Sequence, residues 1–286
     1  MQQRAYGRTG QELSIIGLGG VVLVGLDQTE ANSIVAEAID HGVNYFDVAP
    51  SYGHDQETEK RLGPALAGRR DGVFLACKTG CRDSAGALAE LTRSLHHLQT
   101  HYVDLYQLHA ISSVEEVEKA FGPGGAMETI VKARDEGLIR NIGFSAHSAE
   151  AAIRAMELFD FTSALFPINF VTWTEGNFGP QIMAKAQEKG VARLALKAMA
   201  RTNWKEGAHR DYANCWYEPL SDPHLAELAL RFTLSQPVTA AVPPGDPRLF
   251  RLAMQLAAEF RPITPEETAE LMTYAHGLTP IFRAAA

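Results

Sequence analysis

Short apolar or β-branched runs alternate along the chain with longer segments in which apolar residues recur every three to four positions. The runs predict strands and the longer segments predict helices, because side chains alternate between the faces of a strand and repeat every 3.6 residues around a helix. The segment 30–41 is typical, with Thr29 placed to cap its start and Gly42 to end it. The predicted strands are 14–19, 45–48, 73–77, 103–108, 141–144, 164–168, 193–196 and 239–242.

A predicted helix follows every predicted strand, and the alternation continues to about residue 260 without a linker. The predicted helices are 30–41, 57–67, 85–98, 114–136, 149–158, 180–189, 223–235 and 247–260. Eight repeats of strand and helix favour an α/β fold in which a parallel sheet closes into a (β/α)8 TIM barrel over a doubly wound open sheet. The length of 286 residues is near the roughly 250 typical of that barrel, so we predict a single domain over 1–286.

The turn sequence Gly7-Arg8-Thr9-Gly10 predicts an N-terminal β-hairpin at the barrel bottom. Two other segments interrupt the rhythm, 170–179 after the sixth strand and 200–222 after the seventh. Loops that follow barrel strands open on the face where active sites lie. We therefore expect their tryptophans, Trp173, Trp204 and Trp216, to wall a substrate pocket, the alternative being that they are buried locally in surface loops.

Charge and composition narrow the class of partner. The formal net charge is −8, and the basic residues are scattered, which argues against binding nucleic acid or an anionic membrane. The N-terminus has no apolar signal core, and no apolar run reaches the roughly 18 residues of a membrane span. Three cysteines, Cys77, Cys81 and Cys215, agree with a reducing compartment. We expect a cytoplasmic protein that acts on a small molecule; the sequence carries no indication of its oligomeric state.

Four polar residues are predicted at the ends of neighbouring strands: Asp47, Tyr52, Lys78 and His109. A tyrosine with a pKa of about 10 is a poor proton donor near neutrality unless a nearby cation favours its phenolate. Lys78 can supply that cation, and Asp47 can pair with Lys78, because an unpaired charge is costly to bury. The four residues are therefore expected to form one coupled acid centre.

At these residues the sequence resembles the aldo-keto reductase family, and the resemblance extends from Tyr6 to about Gln255. The stretches that carry it are GRTG at 7–10, IGLGG at 16–20, NYFDVAPSYG at 44–53, CKT at 77–79, VDLYQLH at 103–109 and IGFS at 142–145. The family's tetrad falls on Asp47, Tyr52, Lys78 and His109. The resemblance implies hydride transfer from a reduced nicotinamide to an aldehyde or ketone. Tyr52 would protonate the developing alkoxide, His109 would bond the carbonyl oxygen, and Lys78 and Asp47 would tune Tyr52.

The resemblance also implies a cofactor site. Ser145 and Asn169 would hold the nicotinamide carboxamide, and Lys197 would face the pyrophosphate, with Gly20 and Asp47 among the cofactor-binding residues. Ala146 stands where relatives carry an asparagine, and Leu196 where they stack an aromatic ring on the nicotinamide.

The segment 242–251 resembles the family's adenosine-phosphate loop and contains Gly245. Arg251 lies near the position that clasps a 2′-phosphate, and Gln255 lies where an asparagine often meets adenine. Arginine suits phosphate because its planar fork binds two oxygens, whereas Asp246 would repel it. On this balance NADP(H) is favoured over NAD(H).

Other functions remain open. Relatives on the same scaffold include sugar dehydrogenases, epimerases and non-catalytic ion-channel β-subunits, and the intact tetrad weakens only the regulatory-subunit alternative. A different class is a metal-dependent barrel hydrolase that uses Asp47, His109 and His147. Lys78 would stand among such ligands as a repelling charge, so we expect no metal site.

Overall fold

The computed structural model of the protein describes residues 1–284, so positions 285–286 of the predicted domain lie outside the described residues. The strands, in chain order, are β1 (Gln3–Ala5), β2 (Glu12–Ser14), β3 (Gly17–Gly19), β4 (Tyr45–Asp47), β5 (Phe74–Thr79), β6 (Val103–Ile111), β7 (Ile139–Ala146), β8 (Ser163–Pro167), β9 (Ala192–Leu196), β10 (Ala200–Asn203), β11 (Tyr217–Pro219) and β12 (Ala240–Val242). The helices are α1 (Gln28–Asp40), α2 (Glu57–Ala65), α3 (Ser84–His97), α4 (Val114–Phe121), α5 (Ala126–Asp135), α6 (Ala149–Leu158), α7 (Phe170–Thr174), α8 (Pro180–Lys189), α9 (Pro223–Ser235), α10 (Pro247–Ala258) and α11 (Pro265–Ala275).

Eight parallel strands form the barrel. Each strand from β3 to β8 pairs with the next in the chain, and β9 pairs with β12. The sheet closes where Ala241 of β12 bridges Ile16, just before β3, and its backbone N–H donates to the Ile15 carbonyl at 2.9 Å. The predicted (β/α)8 barrel and its eight strands are confirmed. Among the described residues, no helix is both long enough and apolar enough to cross a membrane.

The predicted hairpin closes the amino-terminal end of the barrel. Strands β1 and β2 pair antiparallel, with Gln3 opposite Ser14. Between them, Tyr6 is fully buried inside the barrel, where its ring lies 4.9 Å from that of Phe74 and its hydroxyl donates to the Ser163 Oγ at 2.8 Å. The first predicted strand, 14–19, was therefore too long, because Ser14 belongs to the hairpin and the barrel strand begins at Gly17.

Helix boundaries follow local capping. Helix α1 begins earlier than predicted because Asp27, not Thr29, is its N-cap. The Asp27 carboxylate accepts from the Glu30 N–H at 2.9 Å, and the Glu30 carboxylate accepts from the Asp27 N–H at 2.9 Å. This reciprocal pair satisfies two backbone donors that would otherwise lack partners.

The prediction of one helix over 114–136 was wrong, because the chain forms α4 and α5 with a break at 122–125. The break has the sequence Gly-Pro-Gly-Gly, and Pro123 offers no backbone donor. Gly124 adopts a φ of 72°, and a Cβ on Gly125 would lie 2.3 Å from the Ala120 carbonyl oxygen. Only glycine allows this tight reversal.

Three elements were not predicted: α7, α11 and the antiparallel hairpin of β10 and β11 inside the segment 200–222. Beyond α11 the chain returns to the carboxyl-terminal face of the barrel. There Arg283 donates to the Glu175 carbonyl at 2.9 Å, and the Ala284 N–H donates to the Gly176 carbonyl at 2.9 Å. These bonds hold Phe282 among aromatic side chains at the barrel mouth.

Candidate active site

A cavity of about 300 Å³ lies at the carboxyl ends of the barrel strands. This is the face on which side chains from different strands converge in such barrels. Its walls include the four residues of the expected acid centre, which are Asp47, Tyr52, Lys78 and His109. These residues are distant in the sequence but line one cavity, because each lies near the carboxyl end of a parallel strand or in the loop after it.

Lys78 and Asp47 form a buried ion pair beneath the cavity. Their side chains are 0% and 1% exposed, and the Lys78 ammonium donates to the Asp47 carboxylate and to the Val48 carbonyl, the latter at 3.2 Å. Burial lowers the pKa of Lys78, but the charges of Asp47 and Tyr52 outweigh it, and the net pKa lies above its ordinary value. Lys78 is therefore a fixed positive charge.

Two further side chains hold Asp47 in place. The Tyr45 hydroxyl and the Gln107 amide each donate to Asp47 Oδ2 at 3.1 Å. Tyr45 precedes Asp47 by two positions in β4, and Gln107 precedes His109 by two in β6, so each pair shares a strand face. That spacing was the available signal, but sequence reasoning missed both supporting residues.

The Tyr52 ring lies close to both Lys78 and His109. The Lys78 Nζ is 5.0 Å from the centroid of the Tyr52 ring, and the His109 ring is 5.7 Å away, edge to face. Burial raises the pKa of Tyr52, and the Lys78 ammonium opposes this only in part. The hydroxyl is therefore protonated at neutral pH, with a cation placed to favour its phenolate. A Cβ on Gly20 would lie 3.3 Å from the Tyr52 ring, so Gly20 leaves room for it.

Two neutral histidines line the same cavity. Burial, reinforced by the charge of Lys78, lowers the pKa of His109 to about 3. Burial, reinforced by the charge of Lys197, lowers the pKa of His147 to about 3. His109 Nδ1 lies 3.4 Å from the Ser51 Oγ. A neutral imidazole keeps one N–H donor, which suits it to bind an oxygen without adding charge.

Polar groups suited to an amide ligand lie at the next strand ends. The Ser145 Oγ accepts from the Ala110 N–H at 2.7 Å, which leaves its own proton to donate. The Asn169 Oδ1 caps α7 by accepting from the Thr172 N–H at 2.8 Å, while its buried Nδ2 has no partner among the described residues. Ser145 and Leu196 line the cavity, whereas the buried Asn169 follows β8 and is not among the lining residues. An unpartnered buried amide donor and an apolar surface fit a nicotinamide carboxamide and ring.

The expected adenosine-phosphate residues lie on and before α10. Gly245 lines the cavity, and a Cβ there would lie 2.4 Å from Val21 Cγ1. Arg251 and Gln255 are exposed on α10 outside the cavity wall, and the Arg251 guanidinium pairs with Glu37 at 2.8 Å.

Asp246, expected to repel a 2′-phosphate, is the N-cap of α10, and its carboxylate pairs with Arg248 at 2.9 Å. Because Arg248 offsets the charge of Asp246, the repulsion expected from the sequence is reduced.

Of the three tryptophans expected in the pocket wall, the cavity includes only Trp216. Trp173 lies outside it because it packs against Phe232, with ring centroids 6.4 Å apart. Trp204 lies outside it because its indole N–H donates to the Cys215 carbonyl at 2.8 Å, a hydrogen bond within the segment 200–222. The same segment, which was expected to form part of the pocket wall, also contributes Cys215 and Tyr217 to it.

Within residues 1–284, no group of three or more His, Cys, Asp or Glu side chains is arranged to hold a metal ion. The hydrolase alternative required Asp47 and His109 as ligands, but Asp47 is paired with Lys78, and the His109 ring lies edge to face against Tyr52. The geometry therefore favours acid chemistry at Tyr52 over metal ligation.

The two neutral histidines predict a pH dependence of stability. Their pKa values fall from 6.5 to about 3 on folding, so the unfolded chain binds more protons between these limits. Their contribution is complete above pH 6.5 and is lost as the pH falls towards 3. In urea unfolding at pH 6.5 and 4.5, the variant His109→Gln/His147→Gln should lose less stability on acidification than the wild type. The exposed His101→Gln is the control, and an equally steep loss in the double variant would contradict the burial argument.

Known proteins are similar to this chain in sequence and in fold. Residues 15–274 match the aldo/keto reductase family. The chain is 26% identical over 303 residues to the uncharacterized oxidoreductase YqkF of Bacillus subtilis, with 96% of each chain covered. It is 34% identical over 167 residues to aldo-keto reductase YhdN of the same species, covering 52% of this chain and 48% of that one.

Among solved structures, the holo form of aldo-keto reductase AKR11C1 from Bacillus halodurans superposes with a TM-score of 0.76 at 24% identity and 98% coverage of both chains. A putative aldo-keto reductase from Pseudomonas aeruginosa gives 0.70 at 26% identity, covering 90% of this chain and 94% of that one. The chain therefore belongs to the aldo/keto reductase family of nicotinamide-dependent oxidoreductases.

Proposed function

We propose that the protein reduces an aldehyde or ketone to an alcohol with NADPH, and that Tyr52 is the general acid. The observation that carries the proposal is the position of Tyr52, whose ring lies 5.0 Å from a buried cation, the Lys78 Nζ, and 5.7 Å from the neutral His109 imidazole. The catalytic residues of this proposal are Asp47, Tyr52, Lys78 and His109. Its substrate is a small carbonyl compound.

The cofactor site is proposed on the groups that lack internal partners. Asn169, through its unpartnered Nδ2, and Ser145 would hold the carboxamide, and Leu196 would contact the ring. Asp47 lines the same cavity, and Gly20, which is not among the lining residues, lies next to the Tyr52 ring. Gly245 precedes the amino terminus of α10, whose dipole suits phosphate, although Asp246 already accepts from the Arg248 N–H there. A reduced nicotinamide bound there supplies the hydride to the carbonyl carbon.

The protein's part in the reaction is to stabilise negative charge on the carbonyl oxygen. His109, held neutral by burial, donates a hydrogen bond to that oxygen, and Tyr52 donates its proton to it. Lys78 then stabilises the phenolate left on Tyr52, and Asp47 keeps Lys78 charged. Donors fixed in advance around a developing oxyanion are worth about two to three orders of magnitude in rate each.

The direct test is Tyr52→Phe, which removes the proton and leaves the ring. Reduction followed by loss of NADPH absorbance should fall by at least about a hundredfold, while NADPH binding measured by fluorescence titration should stay nearly unchanged. Tyr102→Phe, whose ring packs against Arg70 and Arg140, is the matched control and should keep full activity. Unchanged turnover in Tyr52→Phe would refute the assignment.

The proposed preference for NADPH depends on two ion pairs. Arg248 offsets the negative charge of Asp246, and Arg251 is exposed on α10 with only the carboxylate of Glu37 to displace. A 2′-phosphate can replace Glu37 on the guanidinium, because it offers the same bidentate geometry with more charge. Gln255, one turn further along α10, would meet the adenine.

Arg251→Ala should therefore weaken NADPH binding about tenfold, the equivalent of one charge-assisted hydrogen bond, and leave NADH binding unchanged. Glu37→Gln, which frees Arg251, should strengthen NADPH binding and not NADH binding. Dissociation constants for both cofactors can be measured by titration of protein fluorescence. An NADH preference in the wild type, or an equal loss for both cofactors in Arg251→Ala, would contradict the proposal.

A cytoplasmic location remains a prediction. Its support is that Cys77, Cys81 and Cys215 are free thiols, as expected in a reducing compartment.

A further inference from the structure

Lys197 stands at the cavity in an unusual backbone conformation. It directly follows β9, and its φ of 61° lies in the left-handed region that non-glycine residues rarely adopt. Its carbonyl accepts from the Ala200 N–H at 3.0 Å, which closes a tight turn. Strained positions of this kind persist where the surroundings impose them, and they concentrate at functional sites.

The Lys197 ammonium is held by aromatic rings. Its Nζ lies 5.6 Å from the centroid of the Trp216 ring and 5.4 Å from that of Phe282. Phe282 is fixed by the carboxyl-terminal chain and stacks on His147 at 4.7 Å. Aromatic faces attract a cation but carry no charge that would neutralise it.

No carboxylate pairs with Lys197 anywhere in residues 1–284, in contrast to Lys78, whose charge is neutralised by Asp47. Burial and the charge of Lys78 lower the pKa of Lys197 to about 7. A charged side chain without a counter-ion at the wall of a partly dry cavity is unfavourable, and an anionic ligand would relieve this. Binding of an anion in the cavity, next to Lys197, would therefore be favourable.

The position of Lys197 indicates whether the anion belongs to the substrate or to the cofactor. Lys197 lies near His147, because both side chains contact the ring of Phe282, the Lys197 Nζ at 5.4 Å from its centroid and the His147 ring stacked on it at 4.7 Å. In the proposed reaction His109 donates a hydrogen bond to the carbonyl oxygen of the substrate. The groups suited to the cofactor phosphates, Gly245 and the amino terminus of α10, are a separate set before and on α10.

We propose that Lys197 binds a carboxylate of the substrate, and that the natural substrates are aldehydes or ketones bearing a carboxylate. Trp216, Phe282 and His147 hold the lysine in place. The inference rests on the proposed carbonyl reduction. It differs from the expectation that Lys197 faces the cofactor pyrophosphate, and the two assignments are separated by experiment.

The test compares aldehydes that differ only in charge. We would measure kcat/KM for 4-carboxybenzaldehyde against its methyl ester, and for succinic semialdehyde against butanal. The wild type should favour the carboxylates by about tenfold, the effect of roughly 1.4 kcal/mol. Lys197→Met should lose this preference through a higher KM and still reduce the neutral aldehydes. Lys205→Met removes an exposed charge from the neighbouring segment 200–222. It is the matched control and should behave as the wild type.

A pH series gives a second readout. Above pH 7 the ratio of kcat/KM for charged and neutral aldehydes should fall, because Lys197 loses its charge. The other titratable groups facing it stay fixed over pH 6 to 8.5. His109 and His147 remain neutral and Lys78 remains charged, while the pKa of the Tyr52, Cys215 and Tyr217 side chains is raised by burial. Asp47 is engaged by Lys78. A ratio independent of pH would count against Lys197.

Two results would overturn the inference. One is a wild type without preference for the carboxylates. The other is a Lys197→Met variant that binds NADPH more weakly but keeps the substrate preference, which would assign Lys197 to the pyrophosphate. If the wild type reduces no aldehyde, the proposed function fails, and calorimetric titration with benzoate and benzamide then tests Lys197 alone. Binding of benzoate that requires Lys197 supports the anion site, and binding unaffected by Lys197→Met refutes it.

Discussion

A fully buried lysine that stays charged needs a carboxylate in contact with it, and the rest of the site depends on how Lys78 and Asp47 meet this need. The barrel places them on neighbouring parallel strands, β4 and β5, so that both reach the same face. Tyr45 and Gln107 then fix the carboxylate from two directions. Removing one partner of a buried pair is strongly destabilising, because the other charge is left uncompensated. The pair is therefore as much a structural constraint as a chemical one.

The two lysines of the cavity are opposites in this respect. Lys78 is neutralised by the protein itself and acts on Tyr52, whereas Lys197 is held only by aromatic rings and is left to attract an anion from outside. The same burial that raises the pKa of Tyr52 lowers that of Lys197, since burial disfavours the charged form of each group. A single dry cavity thus provides a protonated acid, neutral imidazoles and a weakly held cation.

Much of the fold could be predicted from the sequence because its signals are local. Strand and helix periodicity identified the eight barrel strands, and Gly7-Arg8-Thr9-Gly10 identified the hairpin. The four residues of the acid centre were found because each ends or follows a strand. The sequence predictions were wrong where distant contacts or single residues determine the structure. Asp27 displaced Thr29 as a cap, and Pro123 divided a helix whose apolar period continues. Trp173 and Trp204 were drawn into local packing, and the role of Phe282 depends on a chain return that no periodicity indicates.

The central claim is that Asp47 and Lys78 act on Tyr52 as one unit, and a double-mutant cycle on kcat tests it most directly. Aldehyde reduction would be measured for Asp47→Asn, Lys78→Met and the double variant, with NADPH binding measured in parallel to verify folding. If the pair acts as a unit, the double variant should be no slower than the slower single variant, because the second change removes a function already lost. Losses in kcat that multiply in the double variant would show that the two residues act independently and would contradict the account.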